Sequence, residues 1–110
     1  MELEVKAWLY DILTEIEDIQ LFIRPGMTYR QFVTDRLVRK GVEKSIEMIG
    51  EAVNKLLRRV PDIPISHARR IVQTRNKLSH EYYKVDYGIV WLIIERDLPV
   101  LKSEVKALLG

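Results

Sequence analysis

Cysteine is absent from this sequence, and histidine occurs only twice, as His67 and His80. Without thiols the chain can form neither a disulfide framework nor a thiolate metal site, which is typical of proteins in a reducing cytoplasm. An imidazole that titrates near neutral pH is available at only these two positions. The absence of cysteine excludes a disulfide scaffold, and the scarcity of histidine leaves His67 and His80 as the only candidate imidazoles for catalysis.

Long apolar runs are also missing. The most apolar stretch, residues 89–94, is far too short to cross a bilayer, and the acidic residues 1–4 do not belong to the apolar run of a signal peptide. These features predict a cytoplasmic protein without a membrane segment. The 110 residues, of which 47% are hydrophobic, are expected to form one globular domain that spans residues 1–110.

The charges are distributed unevenly, although the net charge is only +2. Residues 1–24 contain six acidic and two basic side chains. Residues 53–80 contain one acid, Asp62, and seven bases: Lys55, Arg58, Arg59, Arg69, Arg70, Arg75 and Lys77. Such a basic block is either a phosphate-binding surface or an ordinary solvated face.

The spacing of apolar residues predicts four helices with short connections. The first covers about residues 3–24 and is stopped by Pro25 and Gly26. The second starts after Thr28, which can form a capping box with Gln31. It continues to the loop at residues 61–64, where two prolines prevent further helix.

The third helix is predicted to begin at a Ser66 cap and to end near residues 82–83. Asp86 then caps the fourth, in which Pro99 predicts a kink or break near Leu98. No alternating apolar run and no hairpin turn predicts a strand. The expected fold is therefore all-α, an up-down four-helix bundle, and a second copy would help so small a domain to bury surface.

Polar residues interrupt the apolar face of the second helix at Asp35, Arg36 and Arg39. Polar groups on such a stripe either lie beyond the core or line a site. Both interpretations remain open from the sequence, so these three residues are candidate borders of a cleft.

The densest group of chemically useful side chains lies in the run RNKLSHEY, residues 75–82. Arg75 is always charged and can bind a phosphate through two parallel hydrogen bonds. His80 can take a proton from a ribose 2′-hydroxyl or give one to a leaving oxygen. Asn76 and Ser79 lie between them and Tyr82 follows, a combination that suits phosphodiester chemistry.

The spacing of this run does not by itself complete a site. Five residues turn an ideal helix by about 500°, which places Arg75 and His80 roughly 140° apart around the axis. They can converge only where the helix ends or tightens, or across a two-fold axis that brings in a second copy of the helix. In the alternative, non-catalytic interpretation, His80 is a capping group that interacts favourably with the negative end of the helix dipole, and Arg75 forms a surface ion pair.

The same run resembles the Arg-x4-6-His motif of HEPN domains and, more narrowly, the Arg-x4-His-x-Tyr form found in HepT toxins of HepT/MntA toxin–antitoxin pairs. The likeness continues at residues 46–52, 61–64, 85–86, 89–91 and 97–99, and so covers nearly the whole chain. It implies a HEPN-like helical bundle that forms a homodimer.

The resemblance implies a metal-independent endoribonuclease that acts in a cleft between two subunits. It also implies that the chain is the toxin of a type VII-like toxin–antitoxin system in a prokaryotic cytoplasm. Arg75 and His80 match the catalytic pair, with Asn76 and Ser79 as supporting polar residues. Tyr82 matches the tyrosine to which an MntA-like nucleotidyltransferase antitoxin attaches AMP, which puts negative charge beside Arg75 and blocks the entry of RNA.

Arg39, Lys77 and Tyr83 are candidate contacts for the RNA. The implied reaction needs no cofactor and no metal. Glu47 and Glu51 lie one helical turn apart, but we expect them to pair with nearby basic side chains. The alternative function is a non-catalytic subunit of a nucleotidyltransferase complex, in which the same motif binds a nucleotide or a partner.

Overall fold

The computed structural model describes residues 1–110, and all of its regular elements are helical. A 3₁₀ turn (Tyr82–Lys84) follows the fourth of six α-helices, and a π-helical turn (Ile93–Asp97) joins the last two. The α-helices are α1 (Leu3–Phe22), α2 (Tyr29–Thr34), α3 (Arg36–Arg59), α4 (Arg69–His80), α5 (Tyr87–Leu92) and α6 (Leu98–Leu109). None of them is long and apolar enough to span a membrane. The predicted all-α fold is confirmed, whereas the predicted count of four helices is corrected to six.

The core lies between α1, α3, α4 and α6. α3 packs against both α1 and α4, and α6 packs against α1. The seven-residue repeat visible in the sequence of α1 is buried along this contact: Val5, Leu9, Ile12, Ile16 and Ile19. α3 is thereby fixed between two partners, and its two sides serve different purposes: one contributes to the core with α1, and the other contacts the helix that carries the motif.

The predicted second helix is divided at Asp35. The capping box at Thr28 is present, since its hydroxyl accepts a hydrogen bond from the Gln31 N–H at 3.1 Å and the Gln31 side chain accepts one from the Thr28 N–H at 2.9 Å. At Asp35 the backbone is extended, and the carboxylate accepts a hydrogen bond from the Val38 N–H at 3.1 Å. Asp35 is therefore the cap of α3, and together with Gln31 and Arg36 it also lines a surface pocket.

The predicted third helix is shorter than expected at both ends. Ser66 does not cap it, because the Ser66 N–H and hydroxyl donate to Glu104 of α6 at 3.0 and 2.8 Å. The helix begins at Arg69 and ends at His80, since Glu81 leaves the helical region with φ −141° and ψ 52°. The candidate catalytic histidine is consequently the last residue of α4.

The break predicted near Leu98 is present as the π-helical turn Ile93–Asp97. The N–H of Leu98 donates to a carbonyl five residues back, and Pro99 lies in the first turn of α6, where a missing N–H is tolerated. The turn places Asp97 in the core, where both carboxylate oxygens accept hydrogen bonds from Arg70 of α4 at 2.8 and 3.0 Å. These hydrogen bonds raise the pKa of Arg70 and tie α4 to the end of the π turn.

Candidate functional site

The helix that carries the motif contacts α3 at Gly50. A Cβ atom at this position would lie 2.5 Å from Cβ and 2.7 Å from Cγ of Arg75, closer than real Cβ atoms approach one another. Gly50 lies within regular helix, so glycine is required here for close approach and not for its dihedral freedom. The stem of Arg75 therefore packs directly on the backbone of α3.

Replacing Gly50 with alanine is expected to lower the free energy of unfolding by about 1–3 kcal/mol through overpacking, although alanine favours a helix. α4 has to move away from α3, so the position of Arg75 changes as well. Gly41→Ala is the matched control on the same helix, because the three atoms nearest to its new Cβ all belong to the ring of the partly exposed Phe22, which can rotate away. Chemical denaturation compares the two variants, and equal stabilities would contradict the packing role of Gly50.

The guanidinium of Arg75 has no acidic partner. Its Nη1 donates a hydrogen bond of 3.0 Å to Oδ1 of Asn76. No carboxylate oxygen lies within 4.0 Å of the Arg75 guanidinium. The surface ion pair considered for Arg75 from the sequence is therefore not formed. The remaining N–H groups of the fork stay available for an anion, while Asn76 orients one side of it.

His80 is exposed at the C-terminal end of α4, where the negative end of the helix dipole attracts positive charge. No hydrogen bond joins its side chain to Arg75. α4 is regular through both residues, so the separation of roughly 140° around the axis is retained. A single chain consequently does not bring the two candidate catalytic side chains together.

Ser79 points to α3 and not to His80, because its hydroxyl donates to Oε1 of Glu47 at 3.2 Å. One turn further along α3, Glu51 pairs with Lys55 at 3.6 Å, which confirms the pairing expected for this glutamate. No group of three or more His, Asp and Glu side chains is arranged to hold a metal ion.

Tyr82 lies on the 3₁₀ turn, with 54% of its surface exposed and its hydroxyl directed at α3. The hydroxyl donates to Oε1 and Oε2 of Glu43 at 3.0 and 3.1 Å. Tyr87 of α5 donates to the same carboxylate at 2.7 Å, and the two phenolic oxygens are 3.2 Å apart. Glu43 is only 7% exposed. These three residues and Arg39 beside them form the Glu43 cluster.

The Glu43 cluster contains one tyrosine that is held protonated. Burial, followed by the hydrogen bonds with Tyr82 and Glu43, raises the pKa of Tyr87 well above its ordinary value. The guanidinium carbon of Arg39 lies 5.1 Å from the centre of the Tyr87 ring, and the Arg39 Nε–H is buried without a hydrogen-bond partner. The cluster thus combines a buried carboxylate, an exposed phenol and a cation with an unused donor.

Comparison with known families identifies the chain, since the model of the family described as Ribonuclease HepT-like matches residues 12–108. The chain belongs to the HepT-like ribonuclease family. A Methanocaldococcus jannaschii protein with the provisional name of an RNase is 35% identical over 107 residues, 94% of each chain. A Thermococcus cleftensis protein provisionally named ribonuclease HepT is 34% identical with the same coverage. The resemblance inferred from the motif is confirmed, while no solved structure matches the chain.

The basic block of this HepT-like chain is only partly neutralised. Lys55, Arg59 and Arg70 pair with acidic side chains at 2.7–3.6 Å. The members without a carboxylate within 4.0 Å are Arg58, Arg69, Arg75 and Lys77. Three of these four lie on α4, so the positive charge that remains available is concentrated on the helix of the motif.

The three candidate RNA contacts of the HepT-like chain differ in their surroundings. Tyr83 is 82% exposed, and its ring lies 5.8 Å from the ammonium group of Lys84. Lys77 is half-buried on α4. Arg39 is half-buried within the Glu43 cluster, so it contacts Tyr87 and does not project into solvent as a free surface cation.

Sequence reasoning missed Glu43. The available signal was an acidic residue at the edge of the buried stripe of α3, directly after Val42 and one turn before Ile46. An acid at such a position is buried only when it has partners, and here the partners come from the residues that follow α4.

Proposed function

We propose that this HepT-like protein is a metal-independent endoribonuclease that works as a homodimer and is the toxin of a type VII-like toxin–antitoxin pair. The observation that carries the proposal is an Arg75 guanidinium without a carboxylate partner on the same helix as an exposed His80 imidazole. The first has charge available for a phosphate, and the second has ring nitrogens available for proton transfer. Membership of a ribonuclease family supports RNA as the substrate.

In the proposed reaction Arg75 binds the scissile phosphate and offsets the charge that builds on its oxygens. His80 takes the proton of the ribose 2′-hydroxyl, whose oxygen attacks phosphorus in line while the bond from phosphorus to the 5′-oxygen of the next nucleotide breaks and that oxygen takes a proton from solvent water. The products are a 2′,3′-cyclic phosphate and a 5′-hydroxyl. Because one chain keeps Arg75 and His80 apart, we propose that a His80 from the other subunit completes the site.

The purified protein is expected to cleave single-stranded RNA in excess EDTA and to leave 2′,3′-cyclic phosphate ends. Gel electrophoresis measures the cleavage, and mass spectrometry of the products identifies the ends. A DNA oligonucleotide of the same sequence is the control and should stay intact, because it lacks the attacking hydroxyl. RNA that remains whole at high protein concentration, with Tyr82 shown to be unmodified by intact mass, would falsify the proposal.

The proposed antitoxin is an MntA-like nucleotidyltransferase that attaches AMP to Tyr82. The tyrosine lies two residues after His80, and more than half of its surface is open to a second protein. The attached phosphate brings negative charge to the helix end that carries the unneutralised bases, and the nucleotide occupies the space that RNA needs. Modification of one side chain therefore accounts for neutralisation without unfolding the toxin.

The second candidate function is that of a non-catalytic subunit that binds a nucleotide or partner for a nucleotidyltransferase. The separation of Arg75 from His80 within one chain favours it, and so does the unused N–H of Arg39. Saturable binding of ATP in calorimetry, together with RNA that stays intact in EDTA, distinguishes this function from the ribonuclease.

A further inference from the structure

We infer that Glu43 is the proton acceptor when Tyr82 is modified. The inference rests on the proposed transfer of a nucleotide to this hydroxyl, and it names the group in the chain itself that activates the oxygen. The Tyr82 hydroxyl already donates to both oxygens of Glu43, at 3.0 and 3.1 Å, which is the reach that general-base catalysis needs. Tyr82 as a residue is 54% exposed and Glu43 is 7% exposed, so a reagent arrives from solvent while the proton leaves towards the protein.

The neighbouring Tyr83 shows why exposure is not sufficient. Tyr83 is 82% exposed, more than Tyr82, but its hydroxyl donates no hydrogen bond to a carboxylate. Exposure alone therefore favours reaction at Tyr83, whereas a positioned base favours Tyr82. Glu43 thus determines which of two adjacent tyrosines is modified.

The bonds and charges of the step balance within the Glu43 cluster. The Tyr82 oxygen forms a bond to the α-phosphorus of a nucleoside triphosphate while the bond between the α- and β-phosphates breaks, and pyrophosphate leaves. The phenolic proton passes to Glu43. A carboxylic acid is a much stronger acid than a phenol, so protonated Glu43 would return the proton to a free phenolate, and the proton therefore moves as the new bond forms and not before. Neutral Glu43 then no longer repels the phosphodiester on Tyr82.

Two other members of the cluster act as positioning residues. Tyr87 donates to Glu43 at 2.7 Å, and its raised pKa keeps its own proton in place, so the carboxylate stays turned towards Tyr82. Arg39 lies against the Tyr87 ring with its buried Nε–H unpartnered. Its positive charge offsets the negative charge that the cluster holds before and after the transfer.

Acetylation by N-acetylimidazole tests the inference without any nucleotidyltransferase, because acetyl transfer also requires the attacking phenol to lose its proton. In the wild-type protein, Tyr82 is expected to react faster than Tyr83, as fragmentation of the peptide that contains both residues will show. Glu43→Gln is expected to slow the acetylation of Tyr82 by about tenfold or more and to leave the acetylation rate of Tyr83 unchanged. Glu47→Gln, one turn further along α3, is the matched control and should leave both rates unchanged.

An equal rate of Tyr82 acetylation in the wild type and in Glu43→Gln overturns the inference. If circular dichroism shows that Glu43→Gln does not fold, Tyr87→Phe decides the matter, because it keeps the carboxylate and removes the hydrogen bond of 2.7 Å that orients it. Slower acetylation of Tyr82 in that variant supports the inference, and an unchanged acetylation rate overturns it.

A second arm, with a minimal nucleotidyltransferase and ATP, separates this inference from the proposed function. Transfer of AMP to the wild type but not to Glu43→Gln supports both. Equal transfer to the two proteins overturns only the role of Glu43 and leaves the proposed regulation supported. Absence of transfer to the wild type contradicts the proposed regulation, and the acetylation rates still decide whether Glu43 activates Tyr82.

Discussion

His80→Asn is expected to reduce RNA cleavage by about 10²–10⁴-fold, the usual contribution of a general acid or base. Asparagine has a similar size and can form hydrogen bonds, but it cannot exchange a proton near neutral pH. His80 is exposed at the last residue of α4, so we expect little change in stability. Initial rates of cleavage in EDTA measure the effect, and thermal unfolding shows that the fold is retained.

The other histidine provides the matched control for this experiment. His67 is exposed in the loop before α4, outside the motif, so His67→Asn should leave the rate of cleavage unchanged. Full activity in His80→Asn would contradict the proposed chemistry. A loss in His67→Asn alone would place the reactive imidazole in the loop and not at the end of the motif helix.

Arg75→Ala is expected to reduce cleavage by about 10²–10³-fold, because the charge that builds on the phosphate oxygens loses its partner. Arg75→Lys should fall between this variant and the wild type, since lysine keeps the charge but lacks the planar fork. The stem of Arg75 packs against Gly50, so unfolding is measured in parallel. Arg58→Ala removes an equally unpaired charge of the basic block at the end of α3, and it should change the rate far less.

Mixing two inactive variants tests whether the site is shared between subunits. A heterodimer of Arg75→Ala and His80→Asn chains contains one intact pair if Arg75 of one subunit works with His80 of the other. It contains no intact pair if each site lies within one chain. Partial recovery of cleavage after the two variants are unfolded and refolded together therefore supports the shared site, and no recovery contradicts it.

Local signals in the sequence predicted the parts of the fold that depend on near neighbours. The capping box joins Thr28 and Gln31, three residues apart, and Pro25 and Gly26 end α1 through their own backbone limits, with Gly26 at φ +83°. The break near Leu98 followed in the same way from one proline. Interactions of this kind are contained in a few consecutive residues, so the pattern is sufficient.

Two predicted helix boundaries were wrong, one because a distant partner decided it and one because a local cap lies within a continuous amphipathic pattern. Ser66 is a good cap by residue type, yet its hydroxyl donates to Glu104, 38 residues away, so α4 begins only at Arg69. Asp35 falls in an amphipathic pattern that continues on both sides, and only the extended backbone shows that the helix begins again there. A propensity for capping does not specify which backbone or side chain the residue finally meets.

By itself, the sequence determined the all-α fold, the family and the order of Arg75, His80 and Tyr82, because periodicity and motif spacing are properties of the covalent chain. Only the tertiary structure decided what these side chains contact. Tyr82 contacts Glu43, which is 39 residues away in the sequence, and Arg75 of α4 contacts Gly50, which lies on α3 as Glu43 does. Hydrogen bonds and van der Waals contacts act over roughly 3–4 Å, so they depend on how closely α3 and α4 pack, which local pattern does not specify.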